Sequence, residues 1–190
     1  KYDEATADIL KAIDVKPDYA EAYYLMGNVE YERMADQKAL NYLNKAIELR
    51  PNYSEAYLVR GQVKLFLGSY SEATVDFTNS IQHKPGASAY YWRGYASYLA
   101  KNDNQSMADY TKAIQLKPNY PEAFYRRGDL KYAMQKDSES IEDFNEAIRL
   151  SPQYAEAYCL RGRSKFALNL TDEALADVNK SVELKPTYAE

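Results

Sequence analysis

Apolar residues recur along this chain at spacings of three and four, and no stretch alternates apolar with polar residues as a strand does. The pattern repeats as a unit of two amphipathic helices joined by a short polar break. Each unit opens on Glu-Ala-Tyr (Glu21–Tyr23, Glu55–Tyr57, Glu156–Tyr158) or Glu-Ala-Phe (Glu122–Phe124), the third copy excepted. A Gly follows four residues after the aromatic position: Gly27, Gly61, Gly94, Gly128 and Gly162. In the second helix a small residue (Ala39, Ala73, Ser106, Ser140, Ala174) precedes an apolar one by four (Leu43, Phe77, Tyr110, Phe144, Val178). A second small residue then leads to the closing proline. The small columns let two helices approach closely, and proline stops the second helix by removing a backbone donor and clashing with the preceding turn. Within the breaks, Asp36, Ser69 with Glu72 as a capping box, Asp137 and Thr171 are expected to start the second helices.

The prolines Pro17, Pro51, Pro85, Pro118, Pro152 and Pro186 stand 34, 34, 33, 34 and 34 residues apart, and all but Pro85 begin a Pro-x-Tyr turn. Full copies are expected at 20–53, 54–86, 87–120, 121–154 and 155–188, after a half repeat at 1–19 and before the opening of another at 189–190. The whole is expected to be one all-α solenoid. Solenoid ends normally carry a polar cap, and neither end shows one; the expectation is a piece of a longer array, with self-association through the uncapped ends or a regulatory arm of a larger enzyme as the alternative functions.

An aromatic, Gly, Ala, an aromatic or aliphatic residue, Ala and Pro at a period of 34 resemble the tetratricopeptide repeat (TPR) family over essentially all 190 residues. The departures are Tyr or Phe for the usual Trp, mostly Arg for the Leu before Gly, and Ser twice in the first small column. The resemblance implies a right-handed superhelical solenoid of antiparallel helix pairs. It also implies a non-enzymatic protein–protein interaction scaffold whose first helices line a concave groove.

On that basis the groove stripe reads Tyr24, Asn28, Tyr31; Leu58, Gln62, Leu65; Tyr91, Tyr95, Tyr98; Tyr125, Asp129, Tyr132; and Cys159, Arg163, Phe166. Spacings of four and three put each trio on one helix face. Glu21, Glu55, Glu122 and Glu156 lie one turn ahead and are expected to form an acidic lip. The expected partner is an extended or helical peptide with apolar anchors and Lys or Arg facing that lip. The positions of the family's clamp for heat-shock chaperone tails hold Tyr24, Asn28, Val59, Ser88 and Trp92, of which only Asn28 fits. The asparagine ladder of the protein O-GlcNAc transferase array is likewise replaced by Leu25, Val59, Trp92, Arg126 and Leu160.

The copies also compare with one another. Arg60, Arg93, Arg127 and Arg161 precede the Gly, and Asp76, Asp109, Asp143 and Asp177 follow sixteen residues later; in the first copy both are replaced together, by Met26 and Tyr42. An antiparallel hairpin levels the two positions, so a bidentate bridge between paired helices is expected.

Composition narrows the function classes. Net charge is −4, leaving no basic excess to gather a phosphate backbone. One His and one Cys cannot build a zinc cluster, so no cofactor or metal is expected. No apolar run has the length of a membrane span, and a cytoplasmic setting is the compartment favoured. His83 reads as an exposed helix-end residue and Cys159 as a small apolar filler. Of twenty tyrosines, thirteen take framework places, and seven (Tyr24, Tyr31, Tyr91, Tyr95, Tyr98, Tyr125, Tyr132) fall in the groove stripe.

Overall fold

Each periodic segment of the sequence becomes a helix of 13 or 14 residues, long enough to need a packed face but too short to stand alone in water. The computed structural model describes residues 2–185, with side chains from Thr6 onward. The expectations for the side chains of Tyr2 and Ala5, and for Pro186, Tyr188 and residues 189–190, lie outside the described residues. Eleven helices and no strand occur among the described residues: α1 (Tyr2–Val15), α2 (Ala20–Glu32), α3 (Asp36–Leu49), α4 (Ser54–Phe66), α5 (Tyr70–His83), α6 (Ala87–Leu99), α7 (Asp103–Leu116), α8 (Pro121–Ala133), α9 (Asp137–Leu150), α10 (Ala155–Ala167) and α11 (Thr171–Leu184).

The chain divides into two compact units between Ala100 and Lys101. In the first, α2 pairs with α3 and α4 with α5, α1 packs on α2, and α6 packs on α5. The first helices α2, α4 and α6 lie side by side. In the second unit α8 pairs with α9 and α10 with α11, α7 packs on α8, and α8 neighbours α10.

The small and apolar columns make the core. Ala39, Leu43, Ala46, Ala73 and Phe77 are fully buried in the first unit, as are Ser140, Phe144 and Ala147 in the second. Val178, which holds the same column in α11, is 39% exposed. Three serines in place of alanine use their hydroxyls: Ser54 Oγ donates to the Ser80 carbonyl at 2.9 Å, Ser181 Oγ to the Ala155 carbonyl at 2.9 Å, and Ser140 Oγ to the Asp137 carbonyl at 2.7 Å, with Ser164 Oγ 2.8 Å away; the buried Ser106 hydroxyl has no partner among the described residues. Buried hydroxyls so paired avoid an uncompensated desolvation cost.

The expected capping box does not form. Ser69 is the N-cap of α5, but its side chain makes no cap hydrogen bond, and Glu72 instead pairs with Lys64 at 3.4 Å. Its backbone has ψ near 61° rather than the extended value from which a short hydroxyl reaches the first turn. The longer Asn102 side chain does cap, accepting from the Gln105 amide at 3.3 Å. Asp36, Asp137 and Thr171 are the first residues of their helices, one place past the cap.

First helices end in a left-handed residue: Met34, Gly68, Lys101, Gln135 and Asn169 have φ between 58° and 79°. Only Gly68 adopts this conformation without steric penalty, so four turns are held by the packing on either side.

Candidate functional site

The expected Arg–Asp bridges stiffen the hairpins that present the first helices. Arg60 donates to Asp76 from Nε at 2.9 Å and Nη2 at 2.6 Å; Arg127 to Asp143 at 3.0 and 2.6 Å; Arg161 to Asp177 at 2.8 and 2.5 Å. The fourth pair divides between units, Arg93 belonging to the first and Asp109 to the second.

Each bridge is larger than the spacing of sixteen suggests. Lys64, Lys131 and Lys165, one turn beyond each Arg, add a second cation to the same carboxylates at 3.0, 2.9 and 3.0 Å. The free Nη1 of each Arg reaches back to the preceding second helix, at Asn44 (2.8 Å), Thr111 (3.3 Å) and Asn145 (2.7 Å). One guanidinium thus ties three consecutive helices, and its planar fork suits that geometry where an ammonium would not. Asp76, Asp143 and Asp177 are 1%, 3% and 5% exposed, so these are framework residues.

On the first-helix face of the first unit, Tyr24 is half-buried with its ring centre 5.0 Å from that of Tyr53, the turn tyrosine that closes the same copy. Burial, helped by the Glu21 charge, pushes the Tyr53 phenol up to about 12. Asn28, Tyr31, Tyr95 and Tyr98 are half-buried. Leu58 packs beside the core of Leu65, Ala73, Phe77 and Ala96. Tyr91 of the stripe is buried, 9% exposed, with Trp92 edge-on at 5.3 Å.

Two residues outside the sequence-based stripe complete this face. Phe66 stands 6.1 Å from Tyr31 and 6.2 Å from Trp92, and Trp92 stands 6.2 Å from Tyr95. A string of aromatic rings therefore crosses α2, α4 and α6, with Phe66 60% exposed along it. Phe66 directly follows Leu65 of the stripe, the one sequence signal that could have found it.

In the second unit Tyr125 is half-buried, its ring 4.9 Å from Tyr154 and 6.1 Å from Phe144. The exposed Arg163 lays its guanidinium 5.2 Å from the ring centre of Tyr132. Asp129 lies between the two arginines of this face, 3.9 Å from Arg126; burial raises its pKa, and the charges of Arg126 and Arg163 oppose that shift.

The expected acidic lip is mostly neutralised. Glu21 pairs with Arg50, Glu55 with Lys84 at 2.8 Å and Glu156 with Lys185 at 3.1 Å, each partner lying 29 residues on. Hydrogen bonds from Arg50 and Lys84 hold the Glu21 and Glu55 carboxyls below the usual carboxylate range. Ser151 stands at the corresponding place for Glu122, which makes no ion pair among the described residues. His83 is exposed, as expected, and stacks on Tyr57 at 5.8 Å. Among the described residues no group of three or more acidic, His or Cys side chains could hold a metal ion, and no helix is long and apolar enough to cross a membrane.

Family models described as TPR repeat match residues 94–135 and 128–168, and others described as tetratricopeptide repeat match 1–54 and 155–188. The chain belongs to the tetratricopeptide repeat family. This TPR chain matches no curated protein. Its fold is shared by the pilF protein of Pseudomonas aeruginosa, at 18% identity over 97% of this chain and 85% of that one with a TM-score of 0.88. YrrB, described as a TPR protein with an unusual peptide-binding site, is 21% identical over 94% of this chain and 92% of its own, with a TM-score of 0.77. MamA from Desulfovibrio magneticus RS-1 is 20% identical over 88% and 96%, with a TM-score of 0.79. At such identities the likeness speaks for the fold alone. The family is one of protein–protein interaction scaffolds, typically non-catalytic.

Proposed function

We propose that the first-helix face binds an extended or helical segment of a partner protein through apolar anchors. The observation that carries this reading is the ring string Tyr31–Phe66–Trp92–Tyr95, with Phe66 60% exposed at its middle. Large, stiff aromatic side chains give contact area at low entropic cost, which is why they dominate binding hot spots. The Arg–Asp–Lys bridges hold α4 and α5 together before any partner arrives, so less ordering is left for the binding step.

The test selects peptides from a random displayed library with the full chain, then measures them on variants. Phe66→Ala and Tyr95→Ala are each expected to weaken the selected peptides by about tenfold or more while helical content is retained. Undiminished binding by folded variants rejects the reading.

Self-association has an observation of its own. The α10–α11 hairpin exposes Phe166 (67%), Leu175 (59%) and Val178 (39%) around a cleft of about 440 Å3. A second copy covering that face would bury apolar surface that the matching column buries elsewhere. Leu175→Glu is then expected to abolish any concentration-dependent increase in mass seen by light scattering. A chain that stays monomeric at every concentration rules this reading out.

A further inference from the structure

The turn between α2 and α3 gathers rings and carboxylates into one cavity. Tyr31, Glu32, Met34, Asp36 and Phe66 line a space of about 400 Å3. The Tyr31 and Phe66 rings stand 6.1 Å apart at 33° and form its aromatic wall. Met34 is 88% exposed, held outward by a backbone φ of 58°. Glu32 ends α2 and Asp36 begins α3, where the helix N-terminus favours a charged carboxylate.

Among the described residues neither Glu32 nor Asp36 makes a hydrogen bond or an ion pair. The adjacent Arg33 is drawn to Glu30 at 3.3 Å, and among the described residues no basic side chain lines the cavity. Burial first, then the charges of Glu32 and Asp36, raise the pKa of the Tyr31 phenol. The lip glutamates differ, since Glu21, Glu55 and Glu156 already hold their own Arg or Lys. Ring faces and uncompensated carboxylates attract the same kind of group, a cation carried on an apolar stem.

We propose that this cavity receives an arginine or lysine side chain of the bound partner segment. Its aliphatic stem lies against Met34 and Phe66, and its charged head lies between the Tyr31 ring and the carboxylates of Glu32 and Asp36. A guanidinium fits better than an ammonium, because it stacks on a ring and forks to a carboxylate at once. This deepens the peptide-binding reading and rests on it, moving the expected basic contact from the lip glutamates to the α2–α3 turn.

The test follows the aromatic resonances of Tyr31 and Phe66 in the full chain during titration with N-acetyl-arginine methylamide. The neutral, near-isosteric N-acetyl-citrulline methylamide is the comparison. The arginine probe is expected to shift both residues and to bind at least about fivefold more tightly than the citrulline probe. Glu32→Gln combined with Asp36→Asn is expected to remove that preference while the thermal midpoint and the Phe66 resonance environment persist. Equal response to the two probes, no shift with the arginine probe, or an unchanged preference in the doubly substituted chain overturns the proposal. If the arginine probe fails while Phe66→Ala and Tyr95→Ala still abolish library-selected peptides, the cavity assignment alone falls. If the probe succeeds while those variants bind peptides normally, the peptide-binding reading falls and the cation site stands.

Discussion

Replacing Asp143 by Leu is expected to destabilise the protein by about 3–5 kcal/mol in denaturant unfolding, the range for breaking a buried ion pair from one side. Asp143 is 3% exposed, accepts from Arg127 at 3.0 and 2.6 Å and forms an ion pair with Lys131 at 2.9 Å. Its loss strands two cations beside an apolar core of Phe144, Ala147 and Ile148. Removing the other side costs less. Arg127→Leu leaves the carboxylate on Lys131, and about 1–3 kcal/mol is expected, the scale of a lost charged hydrogen bond. The Arg127→Leu/Asp143→Leu double variant should lose less than the sum of the two, since each substitution removes the reason the other hurts. Strict additivity, or Arg127→Leu costing more than Asp143→Leu, contradicts the bridge as described. The equivalent Asp177 adds a pH signature. Burial raises its pKa, but hydrogen bonds from Arg161 and Lys165 outweigh burial and leave the carboxyl below its usual value. A depressed folded-state pKa contributes stability above the unfolded value, and that contribution is lost as pH falls through the lowered one.

Gly61→Ala sets two effects of opposite sign against each other. Ala is favoured over Gly in a helix interior by about 1 kcal/mol, so local propensity predicts a gain. A Cβ at this position would stand 2.7 Å from Phe77 Cε1 and 2.9 Å from Cδ1, closer than carbon atoms approach. Phe77 is fully buried and cannot step aside without disturbing Ala73, Leu65 and Ala96. Overpacking of this kind costs about 1–3 kcal/mol. The closeness of the contact places the result at the upper end, for a net loss of about 1–2 kcal/mol after propensity is subtracted. Thermal unfolding checks the sign, and Phe77→Leu in the same protein should recover part of the loss by yielding space. A stabilised Gly61→Ala would mean that α4 and α5 are not locked at this contact.

Much of the framework was readable before any coordinates. The columns Ala39, Leu43 and Ala46, or Ser140, Phe144 and Ala147, are periodic within one helix, and that local period alone marks the buried face. The Arg–Asp pairing was readable for a second reason. It recurs at one offset and disappears as a pair in the first copy, so the copies served as their own comparison. The lysines one turn beyond the arginines carried the same kind of signal at Lys64, Lys131 and Lys165, with Ser97 breaking the series.

The candidate site was less readable. The shared helix position of Glu21, Glu55 and Glu156 predicts a lip, but their partners come from the end of the second helix, 29 residues away. Tyr91 and Tyr95 look equivalent as a helical stripe, yet one is 9% exposed and the other half-buried. Phe66 lies one place off the stripe and turns out to carry the string from Tyr31 to Trp92.

The sequence by itself determined the helices, their pairing and the buried columns, because those follow from side-chain period and from short connections that leave few ways to pack. Only the tertiary structure decided which charges stay unanswered and which rings stay open. Glu21 and Glu55 meet a cation from the end of the following helix, and Glu32 and Asp36 meet none among the described residues. Screening and exposure are properties of neighbours brought together from different helices, and no period along one chain encodes them.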